Sequence, residues 1–389
     1  MRGAMERPKL FPLFLVAVVV VVAAVAPIAA ADEPQGRGVT IFPPEKEVPF
    51  GVMRVDVDVQ PPVARIEFFL DGKRVVTRNR PPFTVELDLG KTLVRHEIKV
   101  DGYDAKGLLV DTDLRLVNAA APSAKGRAEV VVPLVVLGTD GAPVEKIGQD
   151  EVEVVDGTLR PTIQVENADR LPLTLGIVLD LSAPMKDALP LLRGPLTQLL
   201  TSLVGERDRG FVVHYRDAAV LAIPPTAKVS ALLNAVAETE AGGGSVLRDA
   251  LILALYQFPA APSAPGRRAL VVLTEGGDTN SRAEMATVLD YARRTGVPVY
   301  VVGVNVSFLG IGPKSRLKEL SAVTGGETVY VRGKKSLPEL APALARIEAE
   351  LKAQAWLRFP AAPGDTFRPI SVQVKRPGVK VRTAAGYFP

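Results

Sequence analysis

Oxygen-bearing side chains occur in three short segments between residues 180 and 275 of this 389-residue chain. Asp180 and Ser182 directly follow one apolar run, and Glu275 lies just past another. Ser245 follows three consecutive glycines. Carboxylates and hydroxyls form an oxygen-only donor set, which suits Mg²⁺ or Ca²⁺ better than zinc. These segments therefore offer oxygen donors for one divalent cation, and the sequence implies no other cofactor.

The rest of the composition excludes several classes of chemistry. The chain has no cysteine, which excludes disulfide scaffolds, thiolate metal sites, iron–sulfur clusters and cysteine nucleophiles. Its two histidines fall in different predicted domains; the pattern predicts a solvent-facing His96 and a packed or rim His214. The flanks of Ser182 do not match the Gly-x-Ser-x-Gly motif of hydrolases. We therefore predict no catalytic residue and a protein that is not an enzyme.

The elements that must position these oxygens alternate between strands and helices. Leu173–Leu179 is a continuous apolar strand, as expected in a sheet that is covered on both faces. Further apolar strands and helical patterns follow it up to residue 354. This alternation predicts an α/β fold with a doubly wound, mostly parallel sheet. Ligands of such sheets bind in loops at the carboxyl ends of the strands, where all four oxygen-bearing residues lie.

Three segments carry a family resemblance: Asp180-x-Ser182, Gly243-Gly244-Ser245-x-Leu247-x-Asp249-Ala250 and Leu273-Thr274-Glu275-Gly276. They resemble the three motif segments of the von Willebrand factor type A (VWA) family. The resemblance implies a Rossmann-like sheet with a metal-ion-dependent adhesion site. It also implies the candidate metal ligands, which are Asp180, Ser182, Ser245 and Glu275. In that family a carboxylate from a protein partner fills the open position on the metal, so the resemblance implies binding chemistry.

The motif departs from the family pattern at three positions. Pro184 replaces a serine ligand, Ser245 replaces a threonine, and Glu275 replaces an aspartate. Two interpretations remain open. Either the longer Glu275 compensates and the site holds Mg²⁺ or Ca²⁺, or the site is degenerate and Asp180 serves as a loop anchor or a helix N-terminal charge.

β-rich regions flank the α/β region, which we place at residues 170–354. Residues 49–119 contain short alternating strands and an Asp-Gly turn at Asp71-Gly72. With the Pro-Pro-Phe sequence that ends at Phe83, they resemble bacterial immunoglobulin-like β-sandwiches. We predict a linker at residues 32–48. Segments 125–169 and 355–389 resemble the β segments that flank VWA domains in a bacterial group, and we expect them to pair with each other.

The N-terminus predicts export. Residues 1–31 combine basic residues, an apolar stretch at 10–31 and small residues before Asp32, which is typical of a secretory signal peptide. An uncleaved inner-membrane anchor is the alternative, because the apolar stretch approaches the roughly 20 residues that span a bilayer. Both interpretations predict a periplasmic or secreted protein.

The charge and the motifs together lead to a functional expectation. The chain has a net charge of +4, and Arg2, Arg7 and Lys9 against Glu6 account for +2 of it. The remaining net charge of +2 is too small to indicate nucleic-acid binding. We expect an exported, non-enzymatic protein that binds an unidentified protein partner through the VWA ligand face. The alternative is a metal-independent scaffold subunit of an envelope complex.

Overall fold

The computed structural model describes residues 38–42, 52–90, 96–117, 129–237, 239–258, 266–304, 311–331 and 334–389. Residues from Gly38 to Pro389 form one compact unit. The predicted signal peptide and most of the predicted linker lie outside the described residues. No helix among the described segments is both long and apolar enough to cross a membrane.

The N-terminal β module consists of two antiparallel sheets around one core. Its strands are β1 (Val39–Phe42), β2 (Val52–Val59), β3 (Arg65–Leu70), β4 (Lys73–Arg78), β5 (Thr84–Asp88), β6 (His96–Tyr103) and β7 (Leu109–Val117). The sheet orders are β1-β2-β5 and β4-β3-β6-β7. Alternating apolar residues, among them Val55, Phe68 and Val100, point inward and form the shared core. The resemblance to immunoglobulin-like sandwiches stays a prediction.

The structure differs from the sequence analysis at two places in this module. Strand β1 lies within the predicted linker, because Val39 and Ile41, on either side of Thr40, are buried in the core. His96 is buried rather than solvent-facing, and its Nδ1 atom lies 2.7 Å from Asp71 Oδ2. Both differences depend on tertiary contacts, with the core for β1 and with Asp71 for His96, which the local sequence pattern does not reveal.

Strands β1 and β7 lie side by side where the two sheets meet. The backbone N–H of Val39 donates to Asp111 Oδ2 at 3.1 Å, and that of Ile41 donates to Asp113 Oδ2 at 2.8 Å. The carboxylates of β7 thereby satisfy N–H groups at the edge of β1. Because the residue numbers of both strands increase together across these bonds, the strands run in the same direction.

The α/β domain is built on one six-stranded sheet. Its strands are β11 (Leu173–Asp180), β12 (Arg209–Tyr215), β13 (Ala219–Thr226), β14 (Arg267–Thr274), β15 (Val299–Val304) and β16 (Thr328–Val331). Their order is β13-β12-β11-β14-β15-β16, and all neighbours pair in parallel except β12 and β13. The predicted doubly wound, mostly parallel sheet is confirmed.

Helices cover both faces of this sheet. They are α1 (Leu189–Leu203), α2 (Val229–Ala237), α3 (Leu247–Tyr256), α4 (Met285–Thr295), α5 (Ile311–Thr324) and α6 (Leu340–Ala353). Leu175 and Ile177 pack on the side of α1, α2 and α6, whereas Val178 and Phe211 pack on the side of α3 and α4. The apolar run of β11 is continuous because its residues enter these two cores alternately.

A second set of β strands surrounds the α/β domain in sequence. Before it come β8 (Glu129–Leu137), β9 (Val152–Asp156) and β10 (Gln164–Asn167); after it come β17 (Ala355–Pro360), β18 (Arg368–Val374), β19 (Lys380–Thr383) and β20 (Gly386–Tyr387). The sheet orders are β10-β17-β8-β19 and β20-β18-β9. The pairs β10–β17, β8–β17, β8–β19 and β9–β18 each join a strand before the domain to a strand after it. The pair β18–β20 is the exception, since both of its strands follow the domain. Asn167 pairs with Ala355, so the α/β domain leaves and rejoins these sheets at adjacent points.

Arg382 of β19 attaches these β strands to the α/β domain. Its Nε atom donates to the carbonyl of Gly325 at 3.2 Å, and its guanidinium forms ion pairs with Glu327 and Glu350. Glu350 of α6 is fully buried. A buried carboxylate needs such a partner, so this ion pair couples the two parts of the fold.

Candidate functional site

Asp180 is the buried centre of the candidate site. It is the last residue of the central strand β11, and the parallel register places Tyr215 of β12 beside it. The Tyr215 hydroxyl donates to Asp180 Oδ2 at 2.8 Å, and the Thr274 hydroxyl donates to the same oxygen at 3.1 Å. The backbone N–H groups of Ser182 and Glu275 donate to Oδ1 and Oδ2 at 2.9 and 3.2 Å. Four donors therefore converge on one carboxylate.

The burial of this cluster perturbs its ionisation. Burial raises the pKa of the Asp180 carboxyl above its ordinary value, against the hydrogen bonds that favour its charged form. Burial and then the charge of Asp180 raise the pKa of the Tyr215 hydroxyl well above its ordinary value. Tyr215 is therefore a neutral hydrogen-bond donor at physiological pH. The hydrogen bonds to Asp180 offset only part of the cost of burying its negative charge.

Ser182 and Pro184 begin the first loop. Ser182 is buried, and its Oγ atom makes no well-aligned hydrogen bond within the described part of the chain. The Ser182 side chain still lowers the pKa of the neighbouring Asp180 carboxyl. A buried hydroxyl without a well-aligned partner nevertheless costs free energy, and a ligand would offset that cost. Pro184 is exposed and has no hydroxyl, so it contributes no side-chain oxygen here.

The second loop carries Ser245 at the start of α3. Gly243 has a φ of +76°, which favours glycine, and a Cβ atom there would lie 2.1 Å from Asp217 Oδ2. The N–H of Gly242 donates to the carbonyl of Leu181 at 2.8 Å, which joins this loop to the first one. Ser245 Oγ donates to the carbonyl of Gly277 at 2.7 Å, which joins it to the third loop. The oxygen of Ser245 keeps lone pairs for a further contact.

Glu275 belongs to the third loop and is half-buried. Burial and then the negative charge of Asp180 raise the pKa of the Glu275 carboxyl. Its Oε1 atom approaches Gly277 so closely that a Cβ atom at Gly277 would lie 2.3 Å from it. Glycine at position 277 therefore makes room for the longer acid that stands in the motif.

Asp278 in the same loop has a different role. Its carboxylate accepts two hydrogen bonds from the Arg248 guanidinium, each at 3.0 Å, and one from the Ser281 hydroxyl at 2.7 Å. Although burial opposes it, these bonds lower the pKa of Asp278. Asp278 thus fastens the third loop to α3 and is not a free ligand.

The donor set of the site fits a hard cation in part. Asp180, Ser182, Ser245 and Glu275 supply oxygens from three loops that hydrogen bonds hold together. No lysine or arginine of the described residues forms an ion pair with Asp180 or Glu275. The described segments also hold no group of three or more acidic, histidine or cysteine side chains placed to bind a metal. The hydroxyls would therefore have to complete any coordination shell.

The candidate ligands omit two residues of the cluster, Tyr215 and Thr274, of which only Thr274 stands in a motif segment. Each is the last residue of its strand, next to Asp180 in the sheet. The apolar run before each residue could have placed it at the end of a strand from the sequence alone. His214, by contrast, lies one residue before the end of β12 and is partly buried, and burial lowers its pKa.

Comparison with known proteins assigns the α/β domain. Residues 175–342 match the family model of the von Willebrand factor type A domain. The chain contains a VWA domain. The predicted family is thereby confirmed, and VWA domains are in general interaction modules rather than enzymes. No curated protein matches the chain significantly.

Solved structures similar to this chain include three VWA proteins. BatB from Bacteroides thetaiotaomicron is 17% identical, with a TM-score of 0.34 over 45% of this chain and 98% of that one. The vWF domain of the type V pili tip protein Mfa5 from Porphyromonas gingivalis is 11% identical, with a TM-score of 0.38 over 46% and 94%. Proximal thread matrix protein 1 from the mussel byssus, with a zinc-occupied MIDAS motif, is 14% identical, with a TM-score of 0.42 over 52% and 51%. The family assignment rests on the sequence match.

Proposed function

We propose that the protein is an exported interaction protein whose VWA domain binds a protein partner at the carboxyl edge of its sheet. The observation that carries this proposal is the convergence of Asp180, Ser182, Ser245 and Glu275 in three loops that hydrogen bonds join. The apolar stretch at residues 10–31 supports export, either as a cleaved signal or as an anchor.

We further propose that these four residues hold one divalent cation, Mg²⁺ or Ca²⁺. The cation, when bound, supplies a Lewis-acidic position for a carboxylate of the partner. Asp180 and Ser182 hold the first loop toward this position, and Ser245 presents its free lone pairs from the second. The two acids lack a basic counter-charge among the described residues, and Ser182 Oγ lacks an aligned partner. A bound cation would supply the missing positive charge and a partner for the Ser182 hydroxyl.

Thermal unfolding of residues 32–389 tests the cation. The Tm of the protein is measured after chelation and again with Mg²⁺ or Ca²⁺ in excess. A cation at 100 times its Kd stabilises by roughly 2.7 kcal/mol. For a domain of this size, that corresponds to a rise in Tm of roughly 5–10 °C.

Ser182→Ala is the variant that decides the result. It removes a hydroxyl that forms no aligned hydrogen bond, so we expect the chelated protein to be as stable as the wild type. We expect the rise in Tm with cation to be lost. Ser202→Ala is the matched control, because its hydroxyl is exposed and binds Glu348 on the far side of the domain. An equal rise in the wild type and Ser182→Ala would contradict the assignment.

A specific observation favours a second function, a metal-independent scaffold subunit. Asp180 already accepts four hydrogen bonds, from Tyr215, Thr274, Ser182 and Glu275, which stabilise the loops without an ion. In that case no cation shifts the Tm, and partner binding survives chelation. Partner binding that is lost on chelation excludes this second function.

A further inference from the structure

The turn between β6 and β7 displays an unusual group of exposed apolar side chains. Leu108, Leu109 and Val110 are consecutive and are 65%, 57% and 38% exposed. Pro61 and Pro62 in the neighbouring β2–β3 turn are also exposed. These five residues, here called the apolar tip, lie at one end of the N-terminal β module.

The backbone of the turn satisfies its own hydrogen bonds. Asp104 Oδ1 accepts the N–H groups of Lys106 and Leu108 at 2.8 and 2.9 Å. The Asp104 N–H donates to the carbonyl of Leu108, and the Gly107 N–H donates to the carbonyl of Asp104. A turn with these groups already paired can leave water at a low cost, which is a requirement for contact with lipid.

The side chains next to the apolar tip suit the headgroup region of a bilayer. The Tyr103 ring is half-buried, and the Arg65 guanidinium lies 4.4 Å from its centroid. Lys106 is exposed in the turn itself. Tyrosine and basic side chains are enriched where apolar residues meet the lipid headgroups.

The chain also joins the module at this same end. Strands β1 and β7 run side by side in the same direction, with Val39 beside Asp111 and Ile41 beside Asp113. Gly38, the first described residue, is therefore level with Val110 of the apolar tip. The apolar stretch of the sequence ends at Ala31, and the seven residues up to Gly38 reach at most about 25 Å.

The VWA domain contacts the opposite end of the module. Arg282 donates to the carbonyl of Val52 at 2.5 Å, and Val52 begins the strand that ends beside the apolar tip at Val59. The apolar tip is thus directed away from this contact.

We propose that the apolar tip inserts into the surface of a lipid bilayer and holds the N-terminal β module against the membrane. Leu108 and Leu109 enter the boundary between headgroups and acyl chains, and Lys106 and Arg65 stay at the level of the headgroups. Two leucines alone give weak, reversible binding, so the contact acts together with the attachment of the chain before Gly38. The VWA ligand face takes no part in it.

A fluorescent label at position 108 tests the insertion. The protein has no cysteine, so Leu108→Cys gives a unique site for an environment-sensitive dye. Residues 32–389 are tethered by an N-terminal histidine tag to nickel-chelating lipid in vesicles of phosphatidylcholine and phosphatidylglycerol. We expect a blue shift of the emission and quenching by lipids with a nitroxide on the acyl chain.

Two variants separate insertion from mere proximity. Leu191→Cys places the dye on α1, at a leucine that is 48% exposed, and we expect no quenching there. Leu109→Asp in the Leu108→Cys protein is expected to lower the inserted fraction at least about tenfold, because aspartate is costly in lipid. Equal quenching at positions 108 and 191, no effect of Leu109→Asp, or a blue shift that needs an added protein instead of lipid would each overturn the proposal.

Discussion

Tyr215→Phe tests whether the buried tyrosine supports Asp180. The substitution removes one hydroxyl, which lies 2.8 Å from Asp180 Oδ2 and 2.7 Å from Thr274 Oγ1. A hydrogen bond to a charged group contributes about 1.5–3 kcal/mol, and Asp180 keeps its other three donors. We expect the free energy of unfolding to fall by about 2 kcal/mol at pH 7 in chelator. We expect a smaller loss near pH 4, because a protonated Asp180 no longer needs a charged hydrogen bond.

Urea denaturation at both pH values measures this loss. Tyr291→Phe is the matched control, since Tyr291 is buried in the same domain and its hydroxyl makes no hydrogen bond with the described residues. We expect it to cost less than about 0.5 kcal/mol. If Tyr215→Phe costs no more than Tyr291→Phe, or if its cost does not fall with pH, then Tyr215 does not stabilise the carboxylate and the argument is refuted.

Three further predictions concern other parts of the fold, each measured by urea denaturation of the chelated protein. Glu275→Gln should stabilise the protein at pH 7 but not near pH 4. Because burial raises the pKa of Glu275, its charged form destabilises the fold, and this cost is lost when the carboxyl is protonated. A destabilising Glu275→Gln at pH 7 would contradict this. Gly243→Ala should cost about 2 kcal/mol because of its positive φ, whereas Gly242→Ala, with open space at its Cβ, should cost less than about 1 kcal/mol. Arg382→Met should cost about 3–5 kcal/mol because it leaves Glu350 buried without this partner, and a second change, Glu350→Leu, should restore most of the stability. No recovery in the double variant would show that Arg382 acts through its other contacts.

Much of the VWA domain could be predicted because its strands are continuous apolar runs. Leu173–Leu179 was predicted as a strand, and the structure has Leu173–Asp180. Two prolines made the limits of α1 uncertain. Pro190 lies in the first turn, where its missing N–H is not needed, and Pro195 is tolerated inside the helix while Leu192 and Leu196 stay buried. Tertiary packing thus decided what local propensity left open.

The site could be predicted only in part. The motif identified Asp180, Ser182, Ser245 and Glu275, and whether they bind a cation stays a prediction. The hydrogen bonds of Tyr215 depend on the register between β11 and β12, which the sequence does not encode locally. The same limit explains β1, since four residues carry too little periodicity to distinguish a strand from a linker.

The interleaved β strands have a consequence for the synthesis of the protein. Strand β8 is apolar along most of its length, and both of its neighbours, β17 and β19, follow the VWA domain in sequence. Roughly 220 residues must be made before β17 is complete, which takes about 10–45 s at 5–20 residues per second. During this interval β8 lacks both of these neighbours, and it pairs locally only at its end, where the Val144 N–H donates to the carbonyl of Val136. Because Asn167 and Ala355 are neighbours, folding of the intervening domain shortens the loop that must close and delivers β17 to its place. The domain that carries the ligand face is therefore also the part whose early folding limits the time that β8 spends open to aggregation.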